Sequence, residues 1–507
     1  MDSRRIVEAP CSKLQGMRPV HREAIFEVQG SKEAQFPFCS LTPQHAAGNA
    51  TCASRSNALA MHFHGFGVLV TIISILAGSP SAWATNGYQL IGVGSYQKGM
   101  AGATTAAPHD AMCALSNPAG MALIGSRADF NMEIFNPNRR VDLSSFGGGA
   151  NEGGSRMYGV PAIGWTAPAF NRTDVYFGGG MYGTSGLGVD YDVFDAGPSL
   201  GDADIYTAIQ FWKMAPTVAA RVTDRLALGI ALNADYQSVE IKEAFSAPAF
   251  PTPVKLDLSR SPGTFGIGAT LGGMYRLTDR IDLGVAYSSQ QHFQNTEYRL
   301  PANAIQNFPQ AGGMATNDNN GRFDLEMDFP QQWAVGLAAR PVDRWLVSFD
   351  VKWINWAATH DSVKLKGTFR LDTDFTADPT DPTINAISLP FGWDNQWVFA
   401  VGTQYQITDT FAVRAGFNHA KAPIDEADVF SNIAFPAVVE DHVTLGATYR
   451  FGDHWEMSGA YKKALKNELT GAGDIPAVFQ NLGFPASSNA KIAMDQNSFG
   501  VQISYRF

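Results

Sequence analysis

From Arg127 to the end, the chain alternates bulky apolar residues with small or polar ones at a period of two. This is the spacing of a strand with two unlike faces. In the last segment Phe499, Val501, Ile503, Tyr505 and Phe507 alternate with Gly500, Gln502, Ser504 and Arg506. Leu226, Leu228, Ile230 and Leu232 alternate likewise with Ala227, Gly229, Ala231 and Asn233. A soluble sandwich also alternates, but its second face is rarely so small. A row of Gly, Ala, Ser and Thr suits a crowded or water-lined interior, with the bulky row meeting something apolar outside.

The connections between these segments alternate as well. A short turn, Arg221-Val222-Thr223-Asp224-Arg225-Leu226, recurs as Arg276-Leu277-Thr278-Asp279-Arg280-Ile281, with looser copies at 340–345, 406–411 and 450–455. Aspartate suits such turns because its carboxylate can bond nearby backbone N–H groups. Between the short turns lie long polar connections at 243–261, 300–320, 367–389, 421–439 and 467–495. Short turns at one end, long loops at the other and aromatics such as Trp345, Tyr449 and Trp455 at the rim describe a closed transmembrane barrel. Propeller blades lack the bulky-out, small-in split. The expected strands are 127–135, 158–169, 174–191, 205–222, 226–242, 262–277, 281–299, 321–340, 345–366, 390–407, 411–421, 440–451, 455–466 and 496–507. The fold class is therefore all-β, a 14-stranded antiparallel transmembrane β-barrel spanning 127–507.

The N-terminal part reads differently. Phe66 to Gly78 is an apolar run of secretory-signal length, and Ala82-Trp83-Ala84 offers small residues at both cleavage positions. We expect a signal peptide over 61–84 and a mature chain from Thr85. Residues 1–60 show no hydrophobic periodicity and are expected to be an extension or a mis-assigned start. Cys11, Cys39 and Cys52 precede the cut, so Cys113 is the only cysteine expected in the mature chain, and no disulfide framework or cysteine metal site is possible there. A formal charge of -10 argues against nucleic acid as a partner.

The segment 85–124 carries a Gly-rich opening, the step Gly99-Met100-Ala101-Gly102-Ala103 and the motif Asn117-Pro118-Ala119. Further on stand Phe329-Pro330-Gln331-Gln332-Trp333, Asp350-Val351-Lys352-Trp353-Ile354-Asn355-Trp356 and Leu389-Pro390-Phe391-Gly392-Trp393. In this order, and with the terminal aromatic Phe507, the chain resembles the FadL-type outer-membrane transporters of long-chain fatty acids and aromatic hydrocarbons. The resemblance covers essentially all of 85–507. It implies a small N-terminal helical hatch at 85–126 inside the barrel, containing Asn117, Pro118 and Ala119. It also implies a hydrophobic groove near the outer loops and a third strand bent to open the wall laterally. In this sequence that strand carries Gly183, Gly186 and Gly188, which would permit the bend. The location implied is the outer membrane of a Gram-negative bacterium. The partners implied are a long-chain fatty acid or other hydrophobic ligand, lipopolysaccharide and outer-membrane lipid, and the barrel-assembly machinery during biogenesis.

A groove for such a ligand must bury its chain, at about 0.8 kcal/mol per methylene, and offer a cation to a carboxylate. Phe245, Phe250, Ile305, Phe308 and Met314, in the loops 243–261 and 300–320, are the expected groove residues. Lys242 and Lys364 stand near the positions where the family places basic residues. No cofactor is expected, and no metal, because the histidines after the cut lack ligand spacing. We expect no enzyme: Ser185 in Gly183-Thr184-Ser185-Gly186 is not a nucleophile elbow, and His442 has no evident partner. The rival readings are an aromatic-hydrocarbon channel, a water-filled porin and an adhesive surface barrel.

Overall fold

The structure, a computed structural model, describes residues 86–507 apart from 155–156, 185–187, 249, 251, 377 and 379. The expected extension 1–60, the signal segment 61–84, Thr85, Ser185 and Gly186 lie outside the described residues.

Fourteen strands close into a barrel. They are β1 (Arg127–Asp142), β2 (Tyr158–Pro168), β3 (Val175–Thr184), β4 (Asp202–Arg221), β5 (Leu226–Phe245), β6 (Thr264–Thr278) and β7 (Ile281–Ser288). The circuit continues with β8 (Gln332–Val342), β9 (Trp345–Ile354), β10 (Gln396–Gln406), β11 (Phe411–His419), β12 (Asp441–Phe451), β13 (Trp455–Thr470) and β14 (Lys491–Arg506). Each strand pairs antiparallel with the next. β14 returns to β1 in unbroken register, from Arg127 opposite Arg506 to Asp142 opposite Lys491. Closure gives every strand a partner on both sides, which hydrocarbon surroundings demand and an open sheet cannot supply.

The two rows face as their sizes predict. Leu228, Ile230 and Leu232 point outward and are 46%, 52% and 50% exposed, whereas Asn131, Ser458 and Gln502 are buried in the lumen. A soluble domain would invert this arrangement. The inner row is less neutral than its small residues promised. Arg127, Glu133, Asp235, Asp350, Arg414, Glu456 and Lys462 are all buried there.

Several strands end earlier than the alternation suggested. The segment expected as 281–299 stops at Ser288, and 345–366 stops at Ile354 before a helical turn at Ala357–His360. The segment expected from 321 is divided: Gly321–Glu326 belongs elsewhere, and β8 begins only at Gln332, after Pro330. The displaced pieces are not loops. Thr296–Leu300, Phe308–Gln310, Gly313–Thr316, Gly321–Glu326, Ser362–Asp372 and Thr383–Pro390 build a second, six-stranded sheet from the long connections.

The short turns also differ from expectation in one detail. In the first two, the side chain that bonds the turn backbone is threonine, not aspartate. The Thr223 hydroxyl accepts from the N–H groups of Arg225 and Leu226 at 3.2 and 3.0 Å. Two other turn aspartates instead receive an arginine from the neighbouring turn: Arg280 reaches Asp343 at 3.1 Å and Arg344 reaches Asp409 at 2.9 Å.

Candidate functional site

The lumen is occupied by the N-terminal segment. It forms a short helix, α1 (Gly94–Gly99), and two single 3₁₀ turns at Ala111–Leu115 and Pro118–Ala122. Asn117 caps the second turn, accepting from the Ala119 N–H at 3.2 Å, and donates to the Thr105 carbonyl at 2.7 Å and the Gly273 carbonyl of β6 at 3.2 Å. Pro118 follows at the first helical position, where its missing N–H costs nothing. The wall glycines make room for this turn. A Cβ on Gly272 would stand 2.2 Å from Asn117 Oδ1, and one on Gly229 would stand 2.5 Å from the Ala119 nitrogen.

Buried polar groups tie the segment to the wall on several sides. One Asp350 oxygen accepts from the Thr104 and Thr105 N–H groups at 2.9 and 2.8 Å. Asp129 accepts from the Ala111 N–H at 2.8 Å, and Gln502 from the Ser95 N–H at 3.0 Å. Lys98 of α1 pairs with Glu133 of β1, both buried. The start of the segment is held by rings. Tyr88 lies 4.9 Å from Trp356, 5.4 Å from Phe329 and 5.7 Å from Trp393, and its hydroxyl meets His360 Nε2 at 2.8 Å. Burial pushes the pKa of His360 down to about 3, so the imidazole is neutral and can exchange a hydrogen bond with each neighbour.

Above this segment, the outer loops enclose an apolar cavity of about 520 Å³. Phe245, Phe250 and Phe308, three of the expected groove residues, stand on its wall. Phe391, Phe430 and Phe479 join them from later loops; Phe391 stood out in the sequence only as part of the motif Leu389-Pro390-Phe391-Gly392-Trp393, and Phe430 and Phe479 only as apolar. Ile305 and Met314 are buried in the core beside the cavity instead of lining it. Neither expected cation reaches it. Lys242 pairs with Asp204 at 2.6 Å, and Lys364 is exposed on the outer sheet, opposite Glu326 and Ser388. The ionisable residues on the cavity wall are Glu243 and Lys255.

A second pocket, of about 60 Å³, lies between this cavity and the N-terminal segment. Phe391 of the outer cavity touches Phe435 of the inner pocket edge-on at 5.2 Å, a direct ring contact between the two linings. The inner pocket joins Phe135, Ile209, Trp393 and Met494 to Arg139, His442 and Lys462, and among the described residues no carboxylate lines it. Lys462 Nζ donates to Gln496 at 3.1 Å and lies 5.2 Å from the centre of the Phe135 ring. His442 Nδ1 is buried without a hydrogen-bond partner. An apolar space that meets Arg139 and Lys462 is suited to an amphiphilic anion. Arg139 and Lys462 were missed in the sequence. Their signal is a cation in the inward row, as in Ser458, Ala460, Lys462, Ala464, at a depth where small residues are the rule.

Gly188 also lines the inner pocket. A Cβ there would meet the Thr207 carbonyl oxygen at 2.2 Å, and one on Gly183 would meet the Trp212 ring at 2.5 Å. Nearby the pairing of β2 with β3 ends at Ala162 opposite Tyr182, although β2 continues beside β1 from Tyr158. Asp372, Asp374 and Asp381 converge in an outer loop. Arg370 holds Asp381 at 3.0 Å, and Asp372 accepts from the Phe375 N–H at 2.6 Å.

Residues 75–507 match the family described as outer membrane protein transport protein (OMPP1/FadL/TodX). The 47 kDa outer membrane protein of Pasteurella multocida is 26% identical over 87% of this chain and 98% of its own length. Outer membrane protein P1 of Haemophilus influenzae is 24% identical with the same coverage. Among solved structures, the toluene transporter TodX of Pseudomonas putida superposes with a TM-score of 0.63 at 19% identity, covering 83% of this chain and 100% of that one. A FadL homologue of Pseudomonas aeruginosa gives 0.59 at 17% identity, covering 84% and 100%. With the family match spanning the whole barrel and the segment inside it, this chain belongs to the OMPP1/FadL/TodX family of outer-membrane transport proteins.

Proposed function

We propose that this protein carries long-chain fatty acids, or closely similar amphiphilic anions, across the outer membrane of a Gram-negative bacterium. The observation that carries this reading is the pairing of an apolar outer cavity with an inner pocket that holds Arg139 and Lys462 and no acid. The outer cavity would capture the hydrocarbon chain from outside. The inner pocket would then take the carboxylate once the Phe391–Phe435 contact parts. Tyr88 and the turn at Asn117, Pro118 and Ala119 would keep the lumen closed as a hatch. Release would be sideways through the wall at the third strand. Supporting this are the early end of β2–β3 pairing and the place of Gly188 on the inner pocket. In this reading residues 61–84 are an export signal, removed after Ala84. The barrel-assembly machinery inserts the chain among lipopolysaccharide and phospholipid, using the terminal Phe507.

The second reading is uptake of monoaromatic hydrocarbons, favoured by the mostly aromatic and aliphatic lining of the outer cavity and by the toluene transporters among the similar folds. The two differ at the cations. Each charge-assisted bond to a carboxylate is worth about 1.5–3 kcal/mol, or roughly 10- to 150-fold. Cells making the Arg139→Ala/Lys462→Met double variant should lose uptake of labelled oleate by at least tenfold and keep uptake of labelled toluene. Equal oleate uptake by parent and variant would remove the fatty-acid reading. Toluene uptake with no oleate uptake by the parent would establish the hydrocarbon one.

A further inference from the structure

The outer cavity carries one residue that a plain hydrophobic funnel does not need. Along β5 the row Val239, Ile241, Glu243, Phe245 faces inward above the barrel, and three of the four are buried apolar side chains. Glu243 stands between two of them, opposite Leu256 of the neighbouring strand Val254–Leu258, and lines the cavity. Among the described residues its carboxyl has no hydrogen-bond or ion-pair partner.

The surroundings leave it so from every side. On β5 itself Lys242 faces away and pairs with Asp204 at 2.6 Å, while Glu240 accepts from the Tyr206 hydroxyl at 3.2 Å. On the neighbouring strand Lys255 is engaged by Asp257 at 3.2 Å. The loops that complete the wall, at 308–313, 373–375, 388–391, 430–433 and 475–484, contribute no charged residue to its lining among those described; Asp374, within them, is off the lining and accepts from the Thr376 N–H at 3.0 Å. An unpaired carboxylate facing apolar walls is costly, and a second carboxylate beside it more so.

We propose that Glu243 is the specificity-determining residue of the outer cavity, which accepts a carboxylate ligand only together with a proton shared between the two acids. The inference rests on the cavity being the capture site. The step is a proton balance with no covalent change. Either Glu243 is already protonated and donates O–H to the ligand carboxylate, or the pair takes one proton from water as it forms. A neutral amphiphile such as an alcohol needs no such proton. The burial of Glu243 supports the assignment by pushing its pKa up to about 7, with no charged neighbour contributing. The sign follows. Below about pH 7 the group is neutral and the carboxylate ligand is admitted; above it both are charged and the ligand is repelled. For a group near 7, the protonated fraction falls about tenfold between pH 6 and pH 8.

The test measures saturable binding of labelled dodecanoate and labelled 1-dodecanol to the mature full chain in amphipol, at pH 6 and pH 8. It is done in the Arg139→Ala/Lys462→Met background, so that the outer cavity is the site read. Dodecanoate should bind about tenfold more weakly at pH 8, and dodecanol equally at both. Glu243→Gln should abolish the difference while keeping dodecanoate near its pH 6 affinity. Because the ligand titrates identically in both proteins, a pH slope that survives in Glu243→Gln overturns the proposal, as does a flat response in the parent. If dodecanol does not bind saturably either, the cavity is not the capture site, and the transport reading fails along with this one.

Discussion

Asp350 offers the sharpest test of how the N-terminal segment is held. Its carboxylate is buried on β9 and accepts from two backbone N–H groups, those of Thr104 and Thr105, at 2.9 and 2.8 Å. Asp350→Ala would leave the Thr105 N–H buried and unpaired, whereas the Thr104 N–H keeps the Gly102 carbonyl at 2.9 Å. Such an unpaired group costs about 1–3 kcal/mol, so the local structure should weaken by about that much. At about 1.4 kcal/mol per factor of ten, even the low end is roughly a fivefold shift toward the open state. Amide hydrogen exchange on the purified protein reads this directly, because local opening limits exchange of buried amides. The peptide covering 100–107 should lose at least that much protection, whereas β12 and β14 should exchange as in the parent. Asp350→Asn keeps one acceptor oxygen and should lose less. Unchanged exchange at 100–107 in Asp350→Ala would refute the reasoning, and so would an equal loss over the whole barrel.

Three further outcomes follow from the wall and the two ends. Gly188→Val should leave the barrel assembled and able to bind oleate at the surface but unable to deliver it, because its side chain must displace the Thr207 carbonyl; import at the parental rate would exclude the third strand as the exit. Phe507→Ala should lower the amount of protein in the outer membrane without changing uptake per molecule, since Phe507 sits exposed at the rim 5.0 Å from Tyr505; normal abundance with lost uptake would contradict this. Sequencing the N-terminus of outer-membrane material should return Thr85, and unboiled samples should migrate differently from boiled ones; residues from before Ala77 would refute the signal assignment.

The barrel was legible because lipid on one side and a packed lumen on the other impose opposite demands on alternate residues. Phe499 to Phe507 states both demands in nine positions. The outer sheet was not legible for the same reason. Ser362–Asp372 and Gly321–Glu326 alternate as well as any barrel strand, and period two says nothing about which sheet a strand joins. Only the breaks at Pro330 and at the Ala357–His360 turn separate them from β8 and β9. The apolar groove was partly readable, since Phe245 and Phe250 lie in one long connection and Phe308 in the next. The cations of the inner pocket were not. Arg139 and Lys462 stand on the first and thirteenth strands, and barrel closure alone brings them to one pocket. Lys242 is near the groove in sequence, yet it sits on the opposite face of β5 from Glu243, one residue away. The wall glycines make the same point. Gly229 and Gly272 look like generic small lumen residues until the Asn117–Ala119 turn is laid against them.

Capture of the hydrophobic ligand in the cavity beneath the outer loops can be observed directly. A crystal structure of the protein soaked with an ω-brominated fatty acid, phased on the bromine edge, locates the chain terminus without interpretation of weak lipid density. An anomalous peak is expected inside the cavity bounded by Phe245, Phe308 and Phe479. Peaks confined to the outward faces of the strands, among Leu228, Ile230 and their neighbours, would contradict it.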